Sequence, residues 1–380
     1  MDYNKKSLAL HKKTRGKIEI KSKVKLKTKD DLSLAYTPGV AEVSREIAKD
    51  INNSWTLTNR ANQVAIVSDG TAILGLGDLG PEAAMPVMEG KAIIFKEFAG
   101  IDAIPLCINT TVPDEIVKFC VMIESSFAGI NLEDISAPRC FEILEKLENQ
   151  LSIPVFHDDQ DGTAIVVLAA LINACRVTGK VMRELKVIVN GAGAAGISIS
   201  KLLLEQKVEN LILLDSAGAI YEGRSDMNGF KMEIAKITNK QNIHGSLREV
   251  IVGADVFIGV SKANLVDQAM VKSMNSQPII FAMANPTPEI MPEEAYAAGA
   301  AIVGTGRSDL PNQINNALVF PGIFRGLLDG RIPKVTSKMK VAAAMAIAYS
   351  VKPKKDKILP SVLDKKVVKA ISQVLIKNKK

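Results

Sequence analysis

Histidine is nearly missing from this chain of 380 residues: only His11, His157 and His244 occur. That scarcity excludes a His-rich zinc centre. It also argues against a Ser-His-Asp triad, because only His157 stands in a motif-like setting. Cysteine is almost as rare. Cys107, Cys120, Cys140 and Cys175 form no CxxC pair. Free buried thiols in a reducing cytoplasm are therefore expected, and a disulfide framework is not. Aromatic residues make up 4% of the chain, too few for the stacking platforms of a nucleic-acid binder. No uninterrupted apolar run reaches the roughly 18 residues that a membrane span needs. The polar, basic N-terminus has no apolar h-region, so no secretory signal is read there. A cytoplasmic protein with no membrane and no nucleic-acid partner is expected.

Charge is concentrated at the two ends. Residues 1–29 hold eleven Lys and Arg against two acids, and residues 352–380 hold ten against two. Those ends contribute +9 and +8 to an overall +7, which leaves −10 on the stretch between them. The basic excess belongs to solvated tails. The chain is 47% hydrophobic and 23% charged, a globular balance, and it is long enough for two domains.

No internal repeat is visible. Short apolar runs alternate with helical segments. Val64–Val67 reads as a strand ending in the turn Ser68-Asp69-Gly70, 91–98 as helix, and 102–108 as strand. Residues 113–127 read as amphipathic helix, 128–132 as strand, 138–149 as helix and 153–156 as strand. A long apolar helix, 163–178, is expected to hinge two domains. Strands follow at 185–190, 210–215, 254–258, 278–282 and 301–303, with a helical tail from Val335. This alternation predicts an α/β fold with largely parallel sheets. An N-terminal α/β domain is expected over 1–160, a Rossmann-like, doubly wound domain over 161–340, and a helical tail over 341–380.

Two acidic motifs carry the chemistry. Asn131-Leu132-Glu133-Asp134 and Phe156-His157-Asp158-Asp159 each end a strand-like run. In open parallel sheets, ligands bind beyond the carboxyl ends of strands. Acids also cap helices and fill turns, but two pairs at strand ends suggest hard oxygen ligands for Mg²⁺ or Mn²⁺. Glu133, Asp134 and one or both of Asp158 and Asp159 are the candidates. The loop Gly191-Ala192-Gly193-Ala194-Ala195-Gly196 lies between a strand and a helix. Its glycines permit a tight turn and close approach of pyrophosphate to a helix N-terminus. Asp215 ends the next strand, where a carboxylate would accept ribose hydroxyls. It favours NAD, with NADP the alternative because Arg224 stands nearby in sequence.

These residues resemble the malic enzymes, particularly the short prokaryotic type. The matching segments are Tyr36-Thr-Pro-Gly-Val-Ala41, the run from Ser68 to Gly80, Glu89-Gly-Lys91, both acidic motifs, Gly162-Thr163-Ala164, the nucleotide loop, Ala284-Asn-Pro-Thr287, Asn315-Asn316 and Phe320-Pro-Gly322. They stand in family order from about residue 36 to 330. The resemblance implies conversion of malate to pyruvate and CO₂ with reduction of NAD(P). Tyr36 would be the general acid at C3, and Lys91 the base for the C2 hydroxyl, its pKa lowered toward neutrality by burial beside a dication. Glu133, Asp134 and Asp159 would bind the metal, with Asp158 beside Lys91. Asn285 and Asn315 would contact substrate or nicotinamide. Asp161 and Ala72 depart from family patterns. The resemblance also implies a homodimer, with the N-terminal region at its interface. A malolactic enzyme, releasing lactate, is one alternative; a catalytically silent nucleotide-binding regulator is another.

Overall fold

A computed structural model describes residues 3–73 and 75–379. Leu74 of the 68–80 motif and the outermost residues of both basic ends lie outside the described residues. The fold is α/β, built on two parallel sheets. The first contains β1 (Gln63–Ser68), β2 (Asp102–Cys107), β3 (Gly129–Leu132) and β4 (Val155–His157), in the order β2-β1-β3-β4. All three pairings are parallel. The second contains β5 (Lys186–Asn190), β6 (Asn210–Asp215), β7 (Gly218–Ala219), β8 (Val256–Gly259), β9 (Ile279–Ala282) and β10 (Ile302–Thr305). Its order is β10-β9-β8-β5-β6-β7, and only the short edge strand β7 is antiparallel.

The strand sequences explain their burial. Side chains alternate across a sheet. Val187, Val189, Leu211, Leu213, Val256, Ile258 and Phe281 face one core, while Ile188, Ile212, Leu214, Phe257 and Ile280 face another. Helices cover both faces, so these strands read as unbroken apolar runs. The first sheet shares the larger core. Val64, Ala65, Ile66 and Val67 of β1 are all fully buried.

Helix Pro81–Ala99 packs on β1 and β2. It starts ten residues before the expected 91, with Pro81 in its first turn, and it ends at Gly100 in the left-handed conformation. Ala84, Met88, Lys91, Ala92 and Phe95 recur at three- and four-residue spacing and form its buried face. A lysine thus sits within an apolar stripe. Helix Phe320–Gly330 returns to the first sheet, where Phe324 meets Phe95 at 5.2 Å and Phe156 at 6.0 Å between ring centroids, both edge-on. The expected tail is two helices, Ser337–Tyr349 and Lys365–Lys377. The first packs on helix Thr163–Thr178 and the second on Phe320–Gly330. The continuous helical run Asp158–Thr178 is long and apolar enough to cross a membrane, but 72% of its most apolar window is buried inside the protein. It is a core element, which accounts for its composition.

Candidate active site

Strand register assembles the acids. β1, β3 and β4 are neighbours, with Val67 aligned to Leu132 and Leu132 to His157. The residues after β3 and β4 therefore emerge side by side at the carboxyl ends of a parallel sheet. The Glu133 amide donates to the Val67 carbonyl at 2.9 Å, continuing the ladder by one residue. Asp134 then turns into the left-handed region, φ 52°, which Asp tolerates better than most side chains. Its amide donates to Asp159 Oδ2 at 2.9 Å, and its carbonyl accepts the Ala72 amide at 2.9 Å. One carboxylate oxygen from each of Glu133, Asp134 and Asp159 lies within 4.8 Å of the others. Asp134 Oδ2 and Asp158 Oδ1 are buried and accept no hydrogen bond. Three converging hard oxygens, with a buried oxygen of Asp134 left without a donor, fit Mg²⁺ or Mn²⁺.

Lys91 enters from the buried face of its helix. Its Nζ donates to Asp158 Oδ2, stands 2.8 Å from Glu133 Oε2, and lies 4.4 Å from the Phe320 ring centroid. Burial alone favours the neutral amine, as expected from the sequence. The carboxylates of Asp158, Glu133 and Asp159 outweigh it and hold the lysine above its ordinary pKa. The lowering toward neutrality expected from the sequence requires a dication to offset those carboxylates. Burial pushes Asp134 up to about 7 and Asp158 up to about 6. Glu133 is raised too, first by burial and then by its acidic neighbours against the pull of Lys91.

Further residues surround the acids, some inside the motifs and some outside them. Asn131 Nδ2 donates to Glu133 Oε2 at 3.0 Å. His157 is fully buried, its pKa lowered by burial, with Nδ1 3.9 Å from Asp159 Oδ2. One guanidinium, that of Arg139, donates to Asp69, Thr71, Ser136 and the Thr111 carbonyl, joining the loops after β1, β2 and β3. Asp161 pairs with Lys340 Nζ at 2.6 Å. Asp69 lay inside a recognised motif, whereas nothing in the sequence marked Arg139 or Lys340 as partners.

Other expected site residues are not gathered at the acids. Tyr36 follows helix Lys29–Ala35, is 67% exposed, and makes no hydrogen bond to the cluster. Asn315 is half-buried, and its side chain accepts the Ala317 amide at 2.8 Å, capping a short helical turn. Asn285 is exposed on the loop after β9.

The nucleotide loop connects β5 to helix Ala194–Glu205. A Cβ on Gly196 would stand 1.7 Å from the Gly191 carbonyl, so only glycine permits this packing of turn on helix. Nothing lies within 4 Å of a Cβ on Gly193, on the open side. The cleft beside the loop has a volume of about 920 Å³ and includes Asn190, Gly191, Ala192, Asp215, Arg224 and Ser261 in its lining. Ala194, Ala195 and Gly196 start the helix behind it. Asp215 lines the cleft, but both its oxygens are engaged. Arg224 donates at 2.9 and 2.5 Å, Lys231 at 2.6 Å and the Ala217 amide at 2.9 Å. Although burial opposes it, this clamp holds the carboxyl down at about 2.

Residues 15–148 match the family model of the malic enzyme N-terminal domain, and residues 160–378 match that of the malic enzyme NAD binding domain. A bifunctional malic/malolactic enzyme of Bacillus subtilis (strain 168) is 55% identical over 381 residues, covering 99% of this chain and 93% of the relative. An NAD-dependent malic enzyme of Geobacillus stearothermophilus is 53% identical, covering 95% of this chain and 76% of the relative. The crystal structure of an NAD-dependent malic enzyme from Thermotoga maritima superposes with a TM-score of 0.94 at 48% identity, covering 97% of this chain and 98% of that one.

Proposed function

The chain belongs to the malic enzyme family, and on that premise we propose that it oxidatively decarboxylates malate to pyruvate and CO₂, reducing NAD(P) and requiring Mg²⁺ or Mn²⁺. The observation that carries this function is Lys91, buried against Asp158 and Glu133 beside three converging carboxylate oxygens. Burying that many charges is costly, and apolar side chains would serve a core better.

Glu133, Asp134 and Asp159 would hold the cation, which when bound supplies Lewis acidity at the substrate C2 oxygen and offsets the negative charge around Lys91. NAD(P) bound in the cleft would supply the acceptor for the hydride that leaves C2. Lys91 takes the proton of the C2 hydroxyl. Asp158, hydrogen-bonded to Nζ, aims the amine and shares that proton. The Phe320 ring covers Nζ and keeps water from that side. Tyr36 returns a proton to C3 after CO₂ leaves. Asn285 and Asn315 orient substrate and nicotinamide.

Tyr36 is too exposed for that role in one subunit, and its surroundings are too. Leu34 is 79% exposed and Ile51 72%, and neither helix Lys29–Ala35 nor Val40–Lys49 buries a residue. A homodimer in which the partner covers this region would give Tyr36 a fixed place. The free cysteines suit a cytoplasmic setting.

The test is absorbance at 340 nm with malate, Mn²⁺ and either NAD or NADP. We expect a rise that EDTA abolishes and added Mn²⁺ restores, and Asp159→Ala should lose at least about a thousandfold in turnover while remaining folded. Full activity in excess EDTA would sink the metal requirement. The Bacillus relative is described as both malic and malolactic, which gives lactate release a second reading. Assaying pyruvate and lactate in the same reaction separates the two.

A further inference from the structure

Glu289 takes no part in the site described above, yet among the described residues it is one of the few fully buried carboxylates. Among the described residues, no cation pairs with it. Its partners are two backbone amides, Ser261 N–H donating to Oε1 at 3.2 Å and Ala284 N–H donating to Oε2 at 3.0 Å. Burial pushes its pKa up, and those two amides, with the N–H of Glu289 itself, oppose the push. An ionised carboxylate accepts on both sides at once. Protonation would leave one of the two oxygens a poorer acceptor.

The two amides belong to different loops. Ser261 follows β8 and lines the cofactor cleft, where Asn190 Nδ2 donates to its Oγ at 2.9 Å. Ala284 follows β9 and immediately precedes Asn285. The joint is tight: a Cβ on Gly259, the last residue of β8, would stand 2.3 Å from Glu289 Cδ. The Asn285 carbonyl in turn abuts the 68–80 loop, 2.3 Å from where a Cβ of Gly75 would lie. A continuous path thus runs from the cleft through Ser261, Glu289 and Asn285 to the loop that follows β1. With the adenosine end of a dinucleotide on the β6 side of the cleft, beside Asp215 and Arg224, the nicotinamide lies toward β8.

We propose that Glu289 is a positioning residue for hydride transfer, whose buried carboxylate fixes the spacing between the loop bordering the nicotinamide and the Asn285 loop bordering the substrate. This rests on reading the cleft as an NAD(P) site. An isosteric amide keeps one acceptor and opposes an N–H to an N–H on the other side, so it moves one loop without opening a cavity.

The experiment compares wild type with Glu289→Gln by titrating NADH and ADP-ribose, which lacks the nicotinamide, and by malate kinetics with ordinary and C2-deuterated substrate. The expected result is NADH affinity at least fivefold weaker, ADP-ribose affinity within twofold, kcat down tenfold or more, and a larger deuterium effect. Unchanged kcat and NADH affinity overturn the assignment. So does an equal loss of both ligands that follows loss of folded protein, because that marks a merely structural carboxylate. If the Gln variant does not fold, Glu289→Asp keeps the charge, withdraws it by one methylene, and is judged by the same ratios. Wild-type protein that binds neither NADH nor ADP-ribose overturns the reading of the cleft, and the assignment with it.

Discussion

Lys91 is the residue on which the most opposing forces meet. Removing it leaves Glu133 and Asp158 buried without a counter-charge, which typically costs about 3–5 kcal/mol. Lys91→Ala in EDTA should therefore unfold at lower urea than wild type, and it should not oxidise malate when metal is added. Tyr36→Phe should leave stability unchanged, because the ring is exposed. Its defect should appear instead as slowed deuterium exchange at C3 of pyruvate, and exchange at the wild-type rate would remove Tyr36 from its role. Asp215 offers a second residue-scale test. As a free carboxylate it would repel a 2′-phosphate, but here Arg224 and Lys231 neutralise it. Arg224→Ala should shift the NAD to NADP ratio of kcat/KM toward NAD by about tenfold, or about 1.4 kcal/mol; a shift toward NADP would reverse the argument. The clamp also has a pH signature. The folded pKa of Asp215 is about 2, below the ordinary value near 4. Its stabilisation is present above about pH 4 and is lost as pH falls through about 2. The melting difference between wild type and Asp215→Asn should be largest near neutrality and shrink toward pH 3.

Among the elements, helix Phe320–Gly330 does two things: it lays Phe320 over Lys91, and it seats Phe324 between Phe95 and Phe156. Phe324→Ala should cost about 3–5 kcal/mol, read as a fall in urea midpoint; a loss under about 1 kcal/mol would mean the helix is not seated there. The sequence disclosed the elements unevenly, and the reasons are physical. Strands such as β5 and β9 were legible within a residue or two, because strands buried on both faces are unbroken apolar runs. Helix Pro81–Ala99 was shortened in the expectation because Pro86 and Gly90 interrupt its pattern. β7, with two residues, is too short to leave a period. The four acids were legible because they end strands. Arg139, Lys231 and Glu289 were not, since each acts on loops or strands that only the tertiary fold brings near. Asp215 was legible as a carboxylate at the right place, but its neutralisation depends on Lys231, sixteen residues away.

At the scale of the whole molecule, the exposed apolar residues from Leu32 to Ile51 call for a covering surface. Light scattering at micromolar concentration should give twice the chain mass, and deleting residues 1–29 should weaken the dimer or lower activity. A fully active monomer would refute the dimer, and an intact, fully active dimer after deletion would free the basic segment of any part in it. The return of helix Phe320–Gly330 to the first sheet has one more consequence, for the order in which the protein is made. β4 ends at residue 157, and the helix that seats Phe324 against that sheet begins 163 residues later. At about 5–20 residues per second, the first sheet leaves the ribosome roughly 10–30 s before its cover exists. During that interval Phe95 and Phe156 lack their aromatic partner Phe324, and Lys91, among its acids, has no ring over it. The half of the protein synthesised first is thus covered last, and until helix Phe320–Gly330 emerges its first sheet carries an open apolar face of the kind that invites wrong contacts.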